Sequence, residues 1–321
     1  MTGEVMSSEQ HAPRPHPRVA ILVVNGFARR GRRGPEREAE AVRYPWIELC
    51  LRQIERNSRG WDYQVFAFDN SHLRPHLELM ESFERVHLRP QRWVAPLGRF
   101  ANRLPGPYAV RLLERRHPSA LDYLLHRVPP EFEYVVTVDN DSFPVREDWL
   151  EVLVSACERG AAVSGVYRDE LAPVVHPFVH VSGLCARRAE LVSLGVSFSD
   201  TQKPGEDDYR ANDDYTQDVG QKITYEFIHA GREIAPLRRS NEVDFHVLMG
   251  GLYGDVIYHQ GAGGRRASFR TDADQRDNRK VSQTLRDAAF ADLDHLVAVL
   301  RGEASNDLGL APLASAARDR A

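Results

Sequence analysis

Apolar positions along the chain fall into two kinds of block. Short unbroken runs rich in β-branched and aromatic residues come in series: Val19-Ala20-Ile21-Leu22-Val23-Val24, then Tyr63 to Phe68, then Tyr134 to Val138, then Ala161 to Val166. Runs that are apolar on both sides of the pleat predict strands buried inside a parallel sheet. Between them, apolar residues recur every three or four positions. Ala39, Val42, Trp46, Leu49, Cys50 and Ile54 predict one helix over 36–57. Ser119 to Val128 predicts a short helix with Ser119 as N-cap, and Glu147 to Arg159 predicts the helix after the third strand. The Pro- and Arg-rich stretch 85–107 has no period and supports neither assignment.

Strands alternating with helices predict an α/β fold, an open and mostly parallel sheet flanked by helices. In such sheets ligands bind beyond the carboxyl ends of the strands. Three predicted strands end there in polar residues: Asn25, then Asp69-Asn70-Ser71, then Asp139-Asn140-Asp141. No G-x-G-x-x-G follows the first strand and no G-x-x-x-x-G-K-[ST] occurs, so a dinucleotide fingerprint and a P-loop are both excluded.

The ends of the chain differ from its middle. Residues 1–17 are polar, carry three prolines and lack the apolar stretch of a secretory signal, so a disordered lead-in and a cytoplasmic protein are expected. Residues 18–300 form the expected single domain. Residues 301–321 are expected to be a flexible tail.

Composition narrows the function. The 321 residues are 42% hydrophobic and 27% charged, enough for a full core. No apolar run reaches about 18 residues, so no ordinary transmembrane helix is expected. A net charge of −4 argues against a nucleic-acid partner. Cys50, Cys157 and Cys185 are too scattered for a disulfide framework or a zinc knuckle. His176, His180 and His246 lack the H-E-x-x-H spacing of a zinc hydrolase, and fit packing or the lining of a pocket.

Asp139-Asn140-Asp141 carries the most chemistry. Two carboxylates two residues apart at a strand end can face one cation, and hard divalent ions such as Mg²⁺ and Mn²⁺ take oxygen ligands while holding substrate phosphates. Val138-Asp139-Asn140-Asp141-Ser142 with Asp148-Trp149-Leu150 resembles the D-x-D segment of GT-A fold glycosyltransferases, of the family 2 type. Other segments match that family in order: Val19 to Asn25, Phe68-Asp69-Asn70-Ser71, His180 to Arg188, Leu194 to Asp200, Gln217-Asp218 ahead of Ala230-Gly231, and Tyr258-His259-Gln260-Gly261. The resemblance spans about 18–266, and it implies a nucleotide-sugar-binding half over 18–142 and an acceptor-binding half over 143–300.

The resemblance implies the GT-A (nucleotide-diphospho-sugar transferase) fold and a metal-dependent, inverting transfer of a sugar from a nucleotide-diphosphate donor to a hydroxyl of a soluble acceptor. That acceptor would be a small molecule, a natural product or a glycan precursor. Asp139, Asp141 and His259 become the metal ligands, for Mn²⁺ or Mg²⁺, with the imidazole tilting the choice to Mn²⁺. Asn25, Asp69, Ser71, Asn140 and Arg265 become donor contacts, and UDP is the nucleotide most frequent in the family. Asp218 matches the general base, with Asp214 second, although Gln217 stands where the family has Glu. A nucleotidyltransferase is the main alternative, because Gly26-Phe27-Ala28-Arg29-Arg30-Gly31-Arg32-Arg33-Gly34 offers a Gly- and Arg-rich run after the first strand. A non-catalytic sugar- or nucleotide-binding relative is the other. A homodimer stays open.

Overall fold

The computed structural model describes residues 16–26, 34–71, 73–89, 116–170, 177–195, 197–198, 219–261 and 278–313. In chain order these build β1 (Val19–Asn25), α1 (Gly34–Arg43), α2 (Trp46–Asn57), β2 (Tyr63–Asp69), α3 (Arg74–Glu81), β3 (Val86–Arg89), α4 (Arg116–Leu125), β4 (Tyr134–Asp139), β5 (Ser142–Pro144) and α5 (Trp149–Glu158). There follow β6 (Val163–Arg168), β7 (Phe178–Arg187), α6 (Arg188–Leu194), α7 (Gln221–His229), β8 (Ile234–Leu237), β9 (Met249–Tyr253), β10 (Ile257–Gly261), α8 (Asn278–Ala291) and α9 (Leu293–Leu300).

Seven strands form one sheet in the order β3-β2-β1-β4-β7-β6-β8. All the pairings are parallel except those of β7, which runs antiparallel to both β4 and β6. The expected open, mostly parallel α/β sheet is therefore present. β1 is fully buried, and its residues divide between two cores. Val19, Ile21 and Val23 face one cluster with Ile47 and Ile54 of α2, Leu153 of α5, Leu285 of α8 and Leu296 of α9. Ala20, Leu22 and Val24 face the other with Leu121 and Leu124 of α4, Leu191 of α6 and Phe227 of α7. Burying each of the Val, Ile, Leu and Phe side chains contributes about 1.5–3 kcal/mol, which is why an unbroken apolar run marks the central strand.

Several boundaries depart from expectation. The helix expected over 36–57 is two helices, because Pro45 has no N–H for the ladder and disfavours helical geometry at Tyr44. Ser119 is not an N-cap: it lies inside α4, whose first turn holds Pro118, where a missing N–H costs no hydrogen bond. Within 85–107, Val86 to Arg89 pair with β2 as an edge strand. β7 is a strand that the apolar pattern does not predict, because its site-facing positions are polar: His180 and Ser182 are buried beside Val179 and Val181.

A second, three-stranded antiparallel sheet has the order β5-β10-β9. β10 ends at Gly261, where φ is +78° and a Cβ would sit 2.1 Å from the carbonyl oxygen of Leu248. Only glycine accepts both the backbone conformation and the approach. Residues 301–313, expected to begin a flexible tail, run back along the body and place Leu310 in the larger core cluster. No helix among the described residues is long and apolar enough to cross a membrane.

Candidate metal centre

The register of the large sheet brings the polar strand ends together. Asn25 of β1 pairs with Asp69 of β2, and Val24 pairs with Asp139 of β4. β1 has β2 on one side and β4 on the other, so the crevice of an open α/β sheet falls there. The chain then turns through Asn140 and Asp141 straight into β5, where Ser142 pairs with His259 of β10. Two further bonds fasten the turn: the Gln260 N–H donates to the Asp141 carbonyl at 2.9 Å, and the Ser142 hydroxyl donates to the Ser182 carbonyl at 2.6 Å. A histidine distant in sequence is thus delivered opposite the two aspartates by strand pairing.

Asp139, Asp141 and His259 each offer one ligand atom, and these atoms lie within 4.8 Å of one another. His259 Nε2 is 3.8 Å from Asp141 Oδ1 and 4.0 Å from Asp139 Oδ2. Ligands held about 2.1 Å from a small divalent cation stand about 3–4 Å apart, so the donor set fits such an ion. Two carboxylates with one imidazole suit Mn²⁺ at least as well as Mg²⁺.

The electrostatics favour a cation. Burial pushes the His259 imidazole down to about 3, aided by the positive charge of Arg168 and by His180, so the ring is neutral and can ligate near pH 7. Burial, together with the neighbouring Asp139 charge, pushes the Asp141 carboxyl up to about 7. Burial acts upward on Asp139 too, but the hydrogen bond and charge of His117, with His180 and His259 behind it, hold that carboxyl well below the usual range. Two carboxylates this close share negative charge poorly until a cation joins them.

Around the three donors the described residues form a buried scaffold. His180 accepts the Ser182 N–H on Nδ1 at 3.1 Å, and its ring stacks on that of His259 with centroids 5.6 Å apart. Beyond them Arg168 donates to Glu170 at 3.0 Å; the Tyr253 hydroxyl bonds the same carboxylate, and Arg239 lies 3.9 Å away. His246 is buried, its Nδ1 accepting the Leu248 N–H at 3.0 Å.

Four of the five expected donor contacts, Asn25, Asp69, Ser71 and Asn140, form one hydrogen-bond network. Asn140 Nδ2 donates to Asn25 Oδ1 at 3.1 Å and to the Gly26 carbonyl at 3.2 Å. Asn25 Nδ2 donates to Asp69 Oδ1 at 2.7 Å and to His76 Nδ1 at 3.1 Å. Asp69 Oδ1 also accepts the Ser71 N–H at 3.0 Å and the Ser71 hydroxyl at 2.6 Å. Asp69 is fully buried, so these bonds close its turn and orient Asn25. His176, Asp214, Asp218 and Arg265, and the Gly- and Arg-rich run 27–33, lie outside the described residues.

Sequence reasoning missed His117. Its Nε2 is 3.1 Å from Asp139 Oδ1, and its side chain is 31% exposed. The available signal was its spacing: His117 continues the Leu121–Leu124 stripe of α4 by one turn, toward the strand ends.

No protein-family model and no curated protein sequence matches the chain. Solved structures give matches of low identity. A mannosyltransferase from Pyrobaculum calidifontis, in complex with GDP-Man and Mn²⁺, is 14% identical over 69% of this chain and 55% of its own, with a TM-score of 0.42. This chain thus spans about half the length of that enzyme. The 4-diphosphocytidyl-2C-methyl-D-erythritol synthase of Anaerococcus prevotii is 10% identical over 70% of this chain and 87% of its own, with a TM-score of 0.36. A point mutant of the Drosophila β-1,4-galactosyltransferase 7, complexed with manganese, UDP-Gal and xylobiose, is 12% identical over 69% of this chain and 64% of its own, with a TM-score of 0.33.

Proposed function

We propose that the chain is a metal-dependent glycosyltransferase of the GT-A kind, transferring a sugar from a nucleotide-diphosphate donor to a hydroxyl acceptor with inversion. One observation carries this: two aspartates and a histidine converge at the carboxyl ends of β1 and β4, where an open α/β sheet forms its ligand crevice.

A divalent cation held by Asp139, Asp141 and His259 supplies charge neutralisation for a departing diphosphate. The chain's own residues do the rest. The Asn140–Asn25–Asp69 network holds the turn rigid, so the ligand geometry is set before substrate arrives. Asn25, Asp69, Ser71 and Asn140 are proposed as donor contacts, and Arg265 as a diphosphate contact. Asp218, with Asp214 second, is proposed as general base. It takes the proton of the acceptor hydroxyl as that oxygen bonds to the anomeric carbon and the bond to the leaving phosphate oxygen breaks.

The test is release of nucleoside diphosphate from a panel of UDP-, GDP-, dTDP- and CDP-sugars, with Mn²⁺, Mg²⁺ or EDTA. UDP-sugars turned over with Mn²⁺ and not with EDTA are the expected result. Pyrophosphate release from a nucleoside triphosphate and a sugar phosphate would replace this function with nucleotidyl transfer.

A further inference from the structure

The two oxygens of Asp139 have different neighbours. Oδ1 is 3.1 Å from His117 Nε2 on α4. Oδ2 faces the opposite way, 4.0 Å from His259 Nε2 on β10 and 3.9 Å from His180 Nδ1 on β7. A carboxylate only accepts hydrogen bonds, so the proton between Oδ1 and His117 sits on Nε2. The terminal torsion of an aspartate is broad and nearly two-fold, so an untethered carboxylate would rotate between orientations. The tether is itself anchored: α4 packs Leu121 and Leu124 against Ala20 and Leu22 of β1, which fixes the helix end that carries His117.

We propose that His117 is a positioning residue for the metal centre: its Nε2–H holds Asp139 Oδ1, so that Oδ2 alone is presented to the cation beside Asp141 and His259. This rests on the metal-binding function proposed above. A donor that orients a ligating carboxylate from behind is commonly worth about 10–100-fold in metal affinity. His117 is not itself counted among the donors. It acts through Asp139, and a side chain that donates from the same place does the same work. Glutamine meets that requirement, since its amide nitrogen reaches about as far as the imidazole Nε2.

The experiment is a titration of Mn²⁺, followed by the loss of the free-ion electron paramagnetic resonance signal, into the full chain without substrate. Wild type, His117→Ala and His117→Gln are compared, with thermal unfolding of each in EDTA. The expected result is affinity about 10–100-fold weaker in His117→Ala, largely restored in His117→Gln, with unchanged unfolding midpoints in EDTA. Equal affinity in wild type and His117→Ala overturns the proposal. So does His117→Gln binding as weakly as His117→Ala, and this comparison holds even where the alanine variant is less stable. No Mn²⁺ binding by wild type removes the metal centre itself, and the positioning role with it.

Discussion

His259 Nε2 stands 3.8 Å from Asp141 Oδ1 although the two residues belong to different sheet segments, and the pairing of His259 with Ser142 creates that proximity. A ligand set assembled by strand register depends on that register as much as on the ligands. Replacing His259 by alanine should weaken Mn²⁺ binding at least about tenfold, equivalent to about 1.4 kcal/mol. Calorimetric titration of the metal into wild type and variant measures this, and unchanged affinity would remove His259 from the site.

Metal affinity should depend on pH through Asp141. Its carboxyl is pushed up to about 7, so below that pH a proton must leave before the cation binds. His259, pushed down to about 3, is already neutral and adds no proton competition above that value. Apparent Mn²⁺ affinity should therefore fall by up to about tenfold per pH unit below 7 and level off above it. Titrations between pH 5.5 and 8 in buffers of different ionisation enthalpy check both slope and proton release. A flat profile would contradict the shared charge of Asp139 and Asp141.

The network under the turn predicts a stability effect without a ligand. Asn25→Ala removes one donor to buried Asp69 Oδ1 and one acceptor of Asn140 Nδ2. Asp69 Oδ1 keeps its two Ser71 donors and Asn140 Nδ2 keeps the Gly26 carbonyl, so the cost is that of the lost hydrogen bonds, about 0.5–1.5 kcal/mol each. Urea unfolding should show that loss in the midpoint with the slope unchanged, and a variant as stable as wild type would mean the network is not a structural tie.

Much of this is legible in the sequence because central strands have to be apolar on both faces. β1, β2 and β4 stand out as unbroken runs, and the polar residues closing them mark the crevice. Asp139, Asp141 and His259 can be named because their neighbours follow a known motif order. The misses have physical causes. β7 hides because His180 and Ser182 point a polar, buried edge at the site. The break at Pro45 is masked by a helical period that continues on both sides of it. His117 follows a stretch without periodicity, and its contact with Asp139 exists only once α4 has docked on β1.

Asp218→Asn should lower turnover of donor and acceptor by about 10²–10⁴-fold while leaving donor affinity nearly unchanged, as loss of a general base does. Separate measurement of kcat and of donor Kd tests this. A near-normal kcat in Asp218→Asn with a collapsed kcat in Asp214→Asn would move the base to Asp214.

The most direct measurement is calorimetric binding of UDP to wild type and Asp141→Asn, each with Mn²⁺ and with EDTA. Metal-dependent binding by wild type, lost in EDTA and lost in a folded Asp141→Asn variant, is the predicted result. Binding of equal strength in EDTA, or in the variant, would contradict a cation at Asp139, Asp141 and His259 as the holder of the donor diphosphate.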